Sequence, residues 1–495
     1  MPTFAQTPLG TLVGQRDQGV AVFKGVEYAL PPTGPLRFAP PAPMPPWQFQ
    51  RDAGWHGAIA PQTPSRLSPA MGDFKKRMDE DCLSLTIWTP EPDGQKRPVL
   101  IWLHGGAWVS GAGSLDWYDG ARIAREGDMV VVGINHRLGA LGYLKHPALP
   151  VDDLGTLDQI EALRWVQSNI SSFGGDPACV TLMGQSAGAA SIGCIIADPR
   201  ASTLFHRAIL QSGGFGRAPL SLAEAYAIGA QVIREAGLDP DAPDILAKLR
   251  EVPVEALLTA TGAVARANSR FAETNPPFMP TTPEPMTQAE LFASIARGAQ
   301  GKQILIGATH DEIHAFFASN PAMHEPDWTA SAKRFADLAR RPDAMERYKA
   351  RRPGGSLMDW LADLVSDHTF LWPSMRLAEA LSGAGVPTQA YQFDWAPPGG
   401  EGGSPFRACH CIELPFVFGN FAQWPGANML DGGNAAEMDA LSAIIRRSWA
   451  AFARTGNAAL PELPWPGYDA SHRRTMVLDA ICRVAGDPAG LDTRT

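Results

Sequence analysis

The sequence predicts an α/β fold, a mostly parallel central sheet flanked by helices. Three observations carry that expectation. Several short runs are β-branched and apolar, helical patterns alternate with them, and one run meets a helix at a serine flanked by glycines. The runs are Val99 to Leu103, Met129 to Ile134, Cys179 to Met183, Ala208 to Leu210, Ile304 to Ile306 and Ala390 to Phe393. A strand that is apolar on both faces belongs in a sheet covered by helices on each side. Among the helical patterns, Asp158 to Asn169 spaces Ile160, Leu163 and Val166 at a helical interval. Glu437 to Thr455 sets Leu441, Ile444, Ile445, Trp449 and Phe452 on one stripe, and Gly456 stops it. Two stretches, 217–299 and 321–385, break the alternation with polar helical sequence. No convincing linker bounds them, so they read as insertions over the sheet edge and the active site within a single domain, 1–495. Residues 29–35 and 397–403, rich in proline and glycine, read as loops.

Composition narrows the class of function. The chain has 495 residues, 45% of them apolar and 19% charged, enough to bury a sizeable core. Its net charge is −9, and its best basic run, Lys75-Lys76-Arg77, is followed at once by Asp79-Glu80-Asp81, so nucleic acid is not an expected partner. No apolar run approaches the length of a membrane span, and the opening Met1 to Pro8 has neither the basic start nor the apolar stretch of a secretion signal. A chain this large needs no covalent staples, so the cysteines at 82, 179, 194, 409, 411 and 482 read as reduced thiols of a cytoplasmic protein. Cys409 and Cys411 bracket a histidine, but no further metal ligands stand at workable spacing, and buried small thiols are the reading adopted. Trp108, Trp117, Phe278, Phe316, Phe317 and Phe370 fall near the motifs and are assigned to the core.

The chemistry centres on Gly184-Gln185-Ser186-Ala187-Gly188. With 49 glycines in the chain the spacing alone is weak. Its context strengthens it, because the strand to Met183 runs in and a small-residue helix, Ala187 to Ala197, runs out. So sharp a turn strains the serine backbone and lifts its hydroxyl clear of the sheet, and larger side chains at the glycines would collide with strand and helix. A serine hydroxyl needs a base to take its proton and an acid to orient the base, and on such a turn both follow in the chain. Of the downstream histidines, His410 leaves a glycine-rich loop and enters the apolar run Leu414 to Phe418. The strand Ile304 to Ile306 leads to Asp311 and Glu312, either of which could serve as the acid. Between them, His104-Gly105-Gly106-Ala107 follows the strand Val99 to Leu103 and can turn backbone N–H groups toward one point. With the amide of Ala187 this makes a three-donor hole for an oxyanion, each donor lowering the barrier by roughly 3 kcal/mol.

These residues closely resemble the type-B carboxylesterase/lipase family, which includes carboxylesterases, cholinesterases and bacterial para-nitrobenzyl esterases. The resemblance runs from Phe23-Lys24-Gly25-Val26 and Pro35-Leu36-Arg37-Phe38, through Asn135 to Gly139, Phe173-Gly174-Gly175, the serine motif and Gln211-Ser212-Gly213, to Leu463-Pro464-Trp465-Pro466. Glu80-Asp81-Cys82-Leu83 is similar to a second signature, with Ser84 where the family carries tyrosine, threonine or phenylalanine. The resemblance implies the α/β-hydrolase fold and a carboxylic ester hydrolase working through an acyl-enzyme. It places the nucleophile on Ser186, the acid on Glu312, the base on His410 and the oxyanion amides on Gly106, Ala107 and Ala187, with Ser212 as buried support. A small-molecule ester is the expected substrate, and no metal or organic cofactor is required. The same machinery would also serve a carbamate, lactone or amide. A non-catalytic adhesion or scaffold relative would lack a member of the triad, whereas all three are present here. Ile313 stands where the family carries glycine. Gln185 replaces a cholinesterase glutamate, and the loop before Cys82 has Phe74 but no tryptophan, both of which turn the reading away from a cationic substrate. Cys82 lacks the upstream partner of secreted animal members, which fits an intracellular, microbial-type enzyme.

Overall fold

A computed structural model describes residues 1–398 and 404–491. Of the loop expected over 397–403, residues 399–403 lie outside the described residues.

Fifteen strands are named in chain order: β1 (Pro2–Thr7), β2 (Gly10–Asp17), β3 (Val20–Glu27), β4 (Arg51–Asp52), β5 (Ser84–Thr89), β6 (Arg97–Leu103), β7 (Val130–Ile134), β8 (Gly175–Gln185), β9 (Arg207–Gln211), β10 (Leu220–Ser221), β11 (Thr281–Thr282), β12 (Gln303–Thr309), β13 (Thr388–Phe393), β14 (Arg474–Leu478) and β15 (Arg483–Gly486). Among the described residues the main sheet runs β1-β2-β3-β5-β7-β6-β8-β9-β12-β13-β14-β15, with β4 beside β2. From β7 to β14 every pairing is parallel. On the flanks, β1-β2-β3-β5-β7 and β14-β15 pair antiparallel, while the short β4 runs parallel to β2.

The apolar runs are the parallel centre, and their alternate side chains feed two cores. Val99, Ile101, Leu103, Val180, Leu182, Ile304 and Ile306 enter one, while Leu100, Trp102, Met183, Ile209 and Leu305 enter the other. The first core is closed by the helices Leu154–Asn169, Ala187–Ala197, Gln288–Gly298 and Trp372–Gly383. Ala435–Thr455 closes the second with Leu441, Ile445, Trp449 and Phe452, and Ile444 of the expected stripe is only half-buried. That helix is capped by the Asn434 side chain, which accepts from the Glu437 amide at 3.1 Å, and it ends at Gly456 with φ +79°.

The stretches 217–299 and 321–385 are helical, as their composition suggests, but each ends in a helix of the sheet cover. Leu291, Phe292 and Ile295 of Gln288–Gly298 and Met375, Leu377 and Leu381 of Trp372–Gly383 share the first core with β6 and β8. The added structure is therefore shorter than its polar sequence signal. The antiparallel flank lacks that signal for a physical reason. In β1, Thr3, Ala5 and Thr7 face inward while Phe4 is 51% exposed, so polarity there runs against burial.

Candidate active site

Ser186 follows β8 directly and precedes the helix Ala187–Ala197, with φ +56° and ψ −124°. A non-glycine residue pays steric strain there, and the surroundings hold it. The Ser186 amide donates to the Gln211 carbonyl at 2.9 Å, and its own carbonyl accepts from the Ala190 amide at 3.0 Å. The flanking glycines make the turn possible. A Cβ on Gly188 would lie 2.1 Å from the Leu103 carbonyl oxygen, and one on Gly184 would lie 2.7 Å from the Gly188 carbonyl carbon.

His410 presents Nε2 to the Ser186 hydroxyl at 2.8 Å and Nδ1 to Oε2 of Glu312. Both His410 and Glu312 are fully buried. The other carboxylate oxygen of Glu312 accepts from the Thr309 amide at 2.9 Å, and the His410 amide donates to the Glu312 carbonyl at 3.1 Å, which ties the two loops together. Asp311, the other carboxylate of the sequence, turns away to Arg352 at 2.6 Å and His310 at 3.1 Å. Ile313 takes an ordinary helical backbone and buries its side chain among Phe317, Leu361 and Val365, so the missing glycine leaves no strain. The Phe370 and Phe316 rings flank the imidazole at 4.8 and 5.5 Å between centroids. Phe370 reaches it from a π-helical turn, Asp367–Leu371, an irregularity frequent at functional sites.

Gly106 and Ala107 lie on the cavity that Ser186 lines, and Ala187 follows Ser186 in the chain. Gly106 has φ +111°, and Ala107 and Trp108 are also left-handed at +56° and +58°. The strained stretch is held by the Ser110 amide on the Gly106 carbonyl at 3.0 Å, the Gly139 amide on the Trp108 carbonyl at 2.7 Å and the Trp108 indole on Ser191 at 2.9 Å. Among the described residues the amides of Gly106 and Ala107 donate to no protein acceptor. Both residues, with Ser186, line a cavity of about 320 Å³. Ala187 is the first residue of its helix, where the N–H groups have no intrahelical partner.

Two residues beside the site, Glu413 and Arg352, were not legible as parts of it. Glu413 is buried, and burial together with the nearby Glu312 charge pushes its carboxyl up to about 8, so it is neutral at pH 7. Its only sequence signal is an acid set inside an apolar run. Arg352 donates to Asp311 and to Asp363 at 2.8 Å, anchoring the segment that carries Glu312. It also places a cation in the group Asp311, His314 and Asp363, whose donor atoms would otherwise suit a metal ion. Gln185 sits with its amide nitrogen 3.3 Å from His410 Nε2. Ser212 is buried with φ +49° and donates its amide to Gly307 at 2.8 Å, while its hydroxyl bonds to no described residue. Burial raises the Cys409 and Cys411 thiols well above their ordinary range, and all six cysteines are unpaired. Among the described residues no helix is long and apolar enough to cross a membrane.

Residues 2–485 match the model of the carboxylesterase family. The phenmedipham hydrolase of Pseudarthrobacter oxydans is 38% identical over 99% of this chain and 97% of its own. The para-nitrobenzyl esterase of Bacillus subtilis (strain 168) is 34% identical over 97% and 96%. Among solved structures, a thermophilic para-nitrobenzyl esterase superposes with a TM-score of 0.85 at 34% identity, covering 99% of both chains. A Geobacillus stearothermophilus carboxylesterase does so at 0.86 and 34%, covering 99% of this chain and 98% of its own. Matched over nearly its whole length in sequence and in architecture, this chain belongs to the carboxylesterase family of serine ester hydrolases and has the α/β-hydrolase fold.

Proposed function

We propose that the chain hydrolyses carboxylic esters of small molecules through Ser186, His410 and Glu312, by way of an acyl-enzyme. His410 Nε2 takes the hydroxyl proton as Ser186 Oγ attacks the ester carbonyl carbon. The carbonyl oxygen becomes an oxyanion in reach of the amides of Gly106, Ala107 and Ala187. The C–O bond to the alcohol then breaks, and His410 returns its proton to the departing oxygen. Water enters, gives a proton to the same imidazole and attacks the acyl carbon, and the acid leaves as Ser186 regains its hydrogen. Glu312 stays ionised throughout and holds the Nδ1–H tautomer that leaves Nε2 free to accept.

The observation that carries this reading is the unbroken contact from Ser186 through His410 to Glu312, the serine bond being 2.8 Å, beside two amides without an acceptor. A fluorophosphonate probe tests it. Labelling is expected in the wild type and absent in Ser186→Ala, with the loss of para-nitrophenyl butyrate hydrolysis. Labelling that persists in the variant would defeat the assignment of the nucleophile, and a wild type that takes no label would point to a non-catalytic protein.

A further inference from the structure

The cavity in front of Ser186 is positive although the chain carries a net charge of −9. The charged residues lining it are Arg66, Arg266, Arg270 and Glu273. The one carboxylate is already engaged, accepting from Arg334 at 3.1 Å and from the Asn275 amide group at 3.0 Å. A further guanidinium, Arg217, stands behind the wall, and it converges with Arg66 on a single residue. Arg66 Nη2 donates to the Thr274 carbonyl at 3.2 Å, and Arg217 Nη2 donates to the Thr274 hydroxyl. Among the described residues neither arginine is in direct ion-pair contact; Glu273, paired with Arg334, acts on Arg217 only at longer range. Burial lowers both from the usual arginine range, Arg217 to about 10 with Arg66 repelling it, yet both stay cationic at neutral pH.

Their position relative to the chemistry is specific. The Arg66 guanidinium lies 6.0 Å from the centroid of Phe316 and that of Arg217 lies 5.8 Å from the centroid of Phe370, the two rings that flank His410. Each cation thus touches a ring that also touches the imidazole. Two desolvated guanidiniums whose nearby carboxylate, Glu273, is already paired with Arg334 are costly to hold, and each keeps planar N–H donors suited to a carboxylate. A carboxylate brings two oxygens and a single negative charge.

We propose that Arg66, on the cavity wall and reinforced by the charge of Arg217 behind it, is an anion subsite, and that the preferred substrates are esters that carry a free carboxylate, held there while the ester carbonyl lies over Ser186. This rests on Ser186 being the nucleophile. The subsite recognises the substrate and takes no part in bond making.

Two matched pairs of substrates test it by pH-stat titration. One is monoethyl adipate against its terminal amide, which varies charge on the acyl side. The other is butyryloxyacetate against butyryloxyacetamide, which varies it on the alcohol side. In at least one pair the carboxylate is expected to exceed the amide in kcat/KM by tenfold or more. That ratio should collapse toward one in Arg66→Gln and decrease in Arg217→Gln, and in the wild type it should fall as salt is raised, a readout that needs no variant to fold. Ratios at or below one in both wild-type pairs would overturn the subsite, as would a preference that neither variant nor salt reduces. Hydrolysis of any of the four esters that survives Ser186→Ala would instead overturn the nucleophile, whatever the ratios.

Discussion

Replacing Gly188 with alanine adds a methyl group where the helix after Ser186 crosses the end of β6. The new carbon would stand 2.1 Å from the Leu103 carbonyl oxygen and 2.7 Å from that of His104. Carbon and carbonyl oxygen in contact rest at about 3.3 Å or more, so the two segments must part by about 1 Å. Leu103 and His104 lead straight into Gly105, Gly106 and Ala107, so the separation falls between the serine hydroxyl and the amides proposed to receive the oxyanion. A displacement of about 1 Å at reacting groups costs on the order of a hundredfold in rate, and overpacking costs about 1–3 kcal/mol in stability. Gly188→Ala is therefore expected to fold with a lowered Tm and to lose about a hundredfold in kcat/KM on para-nitrophenyl butyrate. The assay is run against enzyme counted by fluorophosphonate titration, so that unfolded protein is not mistaken for slow protein. Gly193→Ala on the same helix is the control. There the added carbon meets only the tips of Phe215 and Ile295, at 3.1 and 3.2 Å, side chains free to turn aside, and the rate should stay close to wild type. A Gly188→Ala enzyme as fast per labelled serine as the Gly193→Ala enzyme would refute the steric argument.

Glu413→Gln should change how stability depends on pH. With its carboxyl raised to about 8 in the fold and ordinary in the unfolded chain, Glu413 keeps a proton on folding, so wild-type stability falls as pH rises from about 4.5 to about 8. The total fall is on the order of 5 kcal/mol, and the glutamine, which carries no titrating group, should remove it. Urea titrations at pH 5 and pH 8 read the difference, and parallel slopes for the two proteins would contradict it. Arg352→Met leaves Asp311 and Asp363 buried without their cation and is expected to cost about 3–5 kcal/mol at pH 7. The Asp363 carboxyl is held at about 2, below its unfolded value, so this stabilisation is present above about pH 4 and lost as pH falls toward 2. The gap between variant and wild type in chemical denaturation should narrow over that range, and a gap that stays constant into acid would show that the arginine acts by packing alone.

What the sequence by itself determined was whatever depends on neighbours in the chain. The six apolar runs mark the parallel centre because a strand covered on both faces buries nearly every side chain, as Val99 to Leu103 illustrates. The glycines around Ser186 mark a turn because their constraint is local and steric. The order of serine, carboxylate and histidine narrowed the search, but the sequence left Asp311 and Glu312 equivalent on physical grounds, and only resemblance separated them. Their environments differ by one residue of rotation at the end of β12, which sends one carboxylate to His410 and its neighbour to Arg352. Tertiary structure alone also decided the antiparallel flank, where β1 buries its threonines and exposes Phe4, and the membership of two expected insertion helices in the sheet cover. It alone brought Arg66 and Arg217 together on Thr274, each against a ring that flanks His410, although long stretches of chain separate them. Periodicity and turn chemistry act over a few residues and leave their mark in composition. Convergence is set by how a twisted sheet stacks its loops at one end, and no local pattern encodes which distant cation will face which aromatic ring.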